Sequence, residues 1–321
     1  MKLIRLSIPT PFYVGDVNVY LIREDPVTLI DVGPKTPEAE EALRRGLAEN
    51  GLGFGDIRRI VITHAHEDHC GLAIRVREHS GNTEILMHAW ENSQLTGRLA
   101  PDSTRGLLVR AGVPEDVFIE MRELYREVSL LSDPLSGEGI GTMNDGDELA
   151  FDSAVLRVVH TPGHTPGSCS FFREADRTLI CGDCVLKRIT PNPVLSPDPL
   201  DPSRRFPSLS EYLVSLARLR ELRPTLVYGG HGEAIADFEE IFNRYVKAID
   251  ERQRKVIGLV PSGGITAFEM SRLLFRNASE NRVQRFLAVS EAAAHLDHAA
   301  REGKLAVELD NGVEVYRDQH Q

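Results

Sequence analysis

Thr63-His64-Ala65-His66-Glu67-Asp68-His69 sets four candidate metal ligands, three imidazoles and a carboxylate, within six residues. The stretch directly follows Ile60-Val61-Ile62, an apolar, β-branched run that reads as a short buried strand. The ligands therefore fall in the loop at a strand's carboxyl end, where open α/β sheets place their chemistry. Imidazole nitrogen and carboxylate oxygen suit Zn²⁺, and Fe or Mn as well. Four such groups are too many for one closed tetrahedral site that must also admit water. Two neighbouring metals sharing the loop is the reading they favour.

Further candidates recur in the same grammar of apolar run, glycine and ligand. His164 lies in Thr161-Pro162-Gly163-His164-Thr165-Pro166-Gly167, after Ala154–Val159. Asp183 lies in Cys181-Gly182-Asp183-Cys184, after Thr178-Leu179-Ile180. His231 lies in Gly229-Gly230-His231-Gly232, after Pro224–Val227. Glycine lets the backbone turn sharply and lets a metal approach closely. A lone histidine after a strand is ordinarily structural; all of these in order after H-x-H-x-D-H are a ligand set.

On these motifs the chain resembles the metallo-β-lactamase-fold hydrolases over roughly residues 1–235. The resemblance implies an αββα sandwich. It implies that His64, His66 and His164 hold one divalent metal, that Asp68, His69 and His231 hold a second, and that Asp183 bridges them. Asp31, in Leu29-Ile30-Asp31-Val32-Gly33, matches the family's early aspartate, which orients the histidine loop and is not a ligand. A complete H-x-H-x-D-H with a bridging aspartate is similar to the glyoxalase II, lactonase and ribonuclease Z side of the superfamily. β-Lactamases usually carry cysteine where Asp183 stands.

Length and composition bound the setting. The 321 residues suit one large domain and a smaller one, and 41% apolar residues suffice for a substantial core. No apolar run is long enough for a transmembrane helix. The opening Met1-Lys2-Leu3-Ile4-Arg5-Leu6 reads as a first strand and not as a secretory signal, so a cytoplasmic location is expected. Cys70, Cys169, Cys181 and Cys184 are too few and scattered for a disulfide framework, and read as small buried residues. A net charge of −11 disfavours large nonspecific affinity for nucleic acid, though not a local basic groove.

The ligand-bearing halves cover residues 1–88 and 144–235. Between them residues 89–143 lack strand character and read as a helical lid, with helices at Trp90–Leu99 and Pro114–Leu131. Val117, Met121, Leu124 and Tyr125 give the second of these an apolar face. Trp90, Phe118, Met121 and Tyr125 are candidate pocket residues, Met121 and Tyr125 foremost for substrate contact. After Asp183 comes a Pro-rich loop, in which Lys187 and Arg188 are candidates to meet an anionic substrate group. Residues 236–321 read as helices at Phe238–Val260, Thr266 to about Phe275, and Asn281 or Arg282 to Glu302. An alternating hairpin around Asn311-Gly312 follows. The series resembles the C-terminal winged helix of a subgroup of these hydrolases. Acidic and basic residues balance from Val246 to the end, which favours a packing or homodimerisation module over a DNA reader.

The ligand set implies a metal-bridging hydroxide attacking a carbonyl or phosphoryl group, with Asp68 and Asp183 as the catalytic carboxylates. A small thioester, ester or lactone is the expected substrate. A metal-dependent ribonuclease or phosphodiesterase is the alternative, with a basic rim at Lys187, Arg188, Arg204 and Arg205 in its favour. A mono-iron sulfur dioxygenase is the reading outside hydrolysis.

Overall fold

The computed structural model describes residues 1–91, 101–135, 140–276 and 281–319. Its layering follows from alternation in strands that are buried on both faces. Strand β1 (Leu3–Ile8) pairs antiparallel with β2 (Val17–Ile22). In β2, Val17, Val19 and Leu21 enter one apolar cluster while Tyr20 and Ile22 enter another. Strand β3 (Thr28–Ile30) is antiparallel to β2. β4 (Arg59–Val61), β5 (Glu84–His88) and β6 (Ile140–Met143) continue from it in parallel, completing a six-stranded sheet. The second sheet has β7 (Glu148–Ala150), β8 (Val155–His160), β9 (Cys169–Arg173) and β10 (Thr178–Ile180) as antiparallel neighbours. β11 (Leu226–Tyr228) lies parallel to β10. Tyr20, Ile30 and Val61 meet Leu156, Val158, Phe171 and Ile180 between the two sheets.

Helices α1 (Pro37–Ala48), α2 (Glu67–Cys70) and α3 (Ala73–Ser80) follow β3 and β4. Leu43, Leu47 and Val76 close the outer face of the first sheet. Thr36 caps α1 by accepting the Ala39 N–H, and Pro37 stands where no intrahelical donor is needed. Between β5 and β6 lie α4 (Pro101–Arg110) and α5 (Glu115–Ser129). α6 (Ser208–Glu221) and α7 (Phe238–Gly258) close the second sheet through Tyr212, Leu216, Ile241 and Tyr245. The layers are therefore helix, sheet, sheet, helix.

The chain departs from its sequence reading in the 89–143 segment. Ile140–Met143 is not part of a lid but the edge strand β6, paired with Ile85–His88. Four residues containing a glycine show no readable alternation. Pro114 is the residue before α5 and not its first helical residue. A helix also forms at Pro101–Arg110, and most of the helix expected at Trp90–Leu99 lies outside the described residues.

Helices α4 and α5 share a core with the C-terminal elements. After α7 come α8 (Ala267–Leu274), α9 (Arg282–Arg301) and a hairpin of β12 (Leu305–Asp310) and β13 (Val313–Asp318). Leu107, Phe118 and Met121 pack with Met270, Val289, Leu296 and Tyr316 in one apolar cluster. The expected capping box is present: Thr266 Oγ1 accepts the Glu269 N–H, and the Glu269 carboxylate accepts the Thr266 N–H. No helix among the described residues is long and apolar enough to cross a membrane.

Candidate metal centre

Ile60, Val61 and Ile62 anchor the motif loop by burial. The chain bends at Thr63 and His64 after β4, and His66, itself extended, immediately precedes α2, which carries Asp68 and His69 on its single turn. The Gly163–Gly167 turn brings His164 in from β8, and the turns after β10 and β11 bring Asp183 and His231. The seven side chains converge from both sheets. His64, His66 and His164 offer ligand atoms within 4.8 Å of one another, as do His64, His69 and Asp183, and Asp68, His69 and His231.

Asp183 lies between the two clusters. Its Oδ2 is 3.8 Å from His164 Nε2 and 3.6 Å from His231 Nε2, while Oδ1 is 3.5 Å from His69 Nε2. Asp68 turns Oδ2 to His231 Nε2 at 3.3 Å. Gly230 makes room for this approach: a Cβ there would stand 2.3 Å from Asp183 Oδ1 and 2.7 Å from His69 Cε1. Gly182 sits at φ +47°, and a Cβ on it would meet Thr63 Oγ1 at 2.6 Å.

The outer nitrogens set the tautomers. Asp31 accepts the Thr63 N–H and hydroxyl, each at 2.8 Å, and holds His69 Nδ1 at 2.7 Å. The Thr63 hydroxyl proton is thereby used, so His64 Nδ1, 3.0 Å from Thr63 Oγ1, is the donor in that pair. His164 Nδ1 donates to the Asn192 carbonyl and His231 Nδ1 to the Asp16 carbonyl, both at 2.9 Å. In these four rings Nδ1 is engaged from outside and Nε2 faces inward. His66 presents Nδ1 instead, 3.0 Å from His64 Nε2 and 3.1 Å from His164 Nε2. His69 Nε2, His231 Nε2 and Asp183 Oδ1 are buried without a hydrogen-bond partner. Buried lone pairs converging in this way fit divalent cations.

The two clusters differ electrically. Burial and the neighbouring His164 push His66 down to about 3, and burial with the other imidazoles pushes His64 well below the usual histidine range. Against the cost of burial, Asp31 and Asp183 hold His69 well above that range, and His231 and His69 hold Asp183 well below the carboxylate range. One half is neutral nitrogen, the other rich in carboxylate.

The remaining candidates are placed differently. Tyr125 is 56% exposed, and after burial the nearby Glu67 carboxylate is what raises its phenol pKa. Met121 and Phe118 are buried in the core shared with the C-terminal helices. Trp90 packs edge-on against His88, His160 and Phe206. Lys187 and Arg188 both pair with Glu233. Arg205 is buried against Asp297 and Glu314. The four cysteines are free and buried. Thr63, Asp16, Asn192 and Glu91 support the ligand loops and were not anticipated in that role. Two of them act through backbone carbonyls, which every residue has, so no sequence signal marks them.

Residues 12–231 match the metallo-beta-lactamase superfamily, and the chain belongs to it. It is 33% identical to the probable metallo-hydrolase YqjP of Bacillus subtilis over 92% of this chain and 91% of that one. It is 28% identical to the beta-lactamase-like protein 2 homolog of Caenorhabditis elegans over 78% of this chain and 67% of that one. A metallo-beta-lactamase family protein of Thermus thermophilus superposes with a TM-score of 0.84 at 29% identity, covering 99% and 98% of the two chains.

Proposed function

We propose that this chain is a dinuclear metal-dependent hydrolase of a small thioester, ester or lactone. The observation that carries it is the position of Asp183, one carboxylate within 4 Å of imidazoles from both donor clusters. His64, His66 and His164 would hold one ion and Asp68, His69 and His231 the other, with Asp183 shared. Such ions, Zn²⁺ foremost, supply an activated water near neutral pH and an electrophile for the substrate's oxygen. Asp68, buried beside His231, is the carboxylate placed to take up the released proton. Asp31, Thr63 and the carbonyls of Asn192 and Asp16 keep the rings from rotating away.

The substrate class rests on the rim. Glu233 pairs with Lys187 and lies 3.8 Å from Arg188, and Arg205 is enclosed by Asp297 and Glu314. Two of the four cations that favoured a phosphodiester are thus offset by carboxylates of their own, which favours a compact acyl compound. We assign the catalytic unit to residues 1–235 and read α7–α9 with the β12–β13 hairpin as a winged-helix module. The core it shares with α4 and α5 supports a packing role.

The test is metal analysis of refilled protein together with turnover of thioesters, lactones, bis(p-nitrophenyl)phosphate and RNA. The expected result is about two ions per chain and acyl hydrolysis. One iron per chain with oxygen consumption would overturn the hydrolase reading, and turnover of RNA alone would overturn the acyl substrate.

A further inference from the structure

Glu91 follows β5 and is fully buried. Its Oε2 accepts the Ala65 N–H at 2.8 Å, and Ala65 lies between His64 and His66. Its Oε1 accepts the Gly167 N–H at 2.7 Å and the Thr165 hydroxyl at 2.6 Å, both in the turn that carries His164. Ser168 Oγ, 2.7 Å from Thr165 Oγ1, completes the chain by donating to it. The approach is close, since a Cβ on Gly167 would stand 2.6 Å from Glu91 Cγ. Every group that Glu91 touches in this network is a donor. A protonated carboxyl would aim its own hydrogen at one of them, so the arrangement suits the carboxylate. Among the described residues no cation pairs with it.

A buried carboxylate without a cation needs a compensating charge nearby. The loops it joins carry three neutral imidazoles, whereas Asp68 lies in the opposite half and Asp31 reaches both, His69 directly and His64 through Thr63. We propose that Glu91 is the positioning residue of the three-histidine half-site, clamping the His64–His66 loop to the His164 loop and supplying the outer anion that a dication there requires. This rests on the ligand assignment proposed above. It predicts that the two half-sites respond unequally when Glu91 is changed.

The experiment titrates metal-free protein with Zn²⁺ against a competing chelator and resolves the binding steps. His66→Ala identifies the step that belongs to the three-histidine half. Glu91→Gln keeps the shape but turns one acceptor into a donor facing an N–H. It should weaken that step about 10- to 100-fold, the usual range for outer partners of metal ligands, and leave the other step unchanged. Thr165→Val removes a single donor while keeping the carboxylate, and should weaken the same step by less; it carries the test if Glu91→Gln fails to fold. Equal weakening of both steps in parallel with a lower Tm, or no change in either, would overturn the clamp. If His66→Ala abolishes no step in the first place, the ligand assignment itself falls, and the clamp with it.

Discussion

The backbone carbonyl of Asn192 accepts the Nδ1 hydrogen of His164 at 2.9 Å, so a candidate ligand from the second sheet is held by the Pro-rich loop that follows Asp183. The Asn192 side chain in turn donates to the Leu287 carbonyl of α9 at 3.1 Å. The C-terminal helix thus braces the candidate metal centre through one residue. Asn192→Ala should cost about 1 kcal/mol of stability, the net worth of such a bond, and weaken metal binding through His164. Urea denaturation of the metal-free protein and chelator competition measure the two effects. Unchanged metal affinity would leave α9 as packing only.

Asp183→Asn keeps the side-chain shape and removes the charge shared between the clusters. Its carboxylate lies within 4 Å of His69, His164 and His231, so both half-sites lose an anion. Turnover should fall by about a hundredfold or more, since even outer-shell changes cost 10- to 100-fold. The folded chain should persist by circular dichroism. Full kcat in a metal-saturated variant would remove Asp183 from the centre.

Tyr125 and Met121 should separate. Met121 is 5% exposed within the core that joins α5 to α8 and α9, so Met121→Ala should cost about 2–5 kcal/mol of stability. Tyr125 is largely exposed beside the ligand loop, and Tyr125→Ala should shift KM and the ranking of a substrate panel while Tm moves little. A Tyr125 variant with altered Tm and an unmoved ranking would assign the residue to packing.

His295 predicts an acid-side loss of stability. Burial, with Arg252 and His298 adding to it, holds its imidazole at about 3, against 6.5 in the unfolded chain. Above pH 6.5 both states are neutral and the stability is fully present. As pH falls from 6.5 toward 3 only the unfolded chain takes up the proton, and stability declines by up to about 1.4 kcal/mol per pH unit. Urea unfolding of wild type and His295→Gln at pH 7 and pH 4.5 isolates this share from that of the carboxylates. The wild type should lose more between the two pH values. Parallel losses would show that His295 titrates alike in both states.

The seven candidate ligands stand out in the sequence because each is announced locally. An apolar run ends, a glycine or threonine turns the chain, and a His or Asp follows; this grammar needs no knowledge of what lies opposite. The helix cap at Thr266 and the Asn311-Gly312 turn are local in the same sense, being decided by residues at most three positions apart. Tertiary structure decided what depends on distant neighbours. β6 exists because Ile140–Met143 finds the free edge of β5, and Met121 is buried because α5 meets helices more than a hundred residues downstream. Glu233 pairs with Lys187 from 46 residues downstream and lies near Arg188 as well. The carbonyls of Asp16 and Asn192 set two tautomers without any side-chain signature. Which residues can ligate a metal is a property of side-chain chemistry and local turns. Which nitrogen faces inward, and which charges remain free at the rim, follows from packing between segments far apart in the chain.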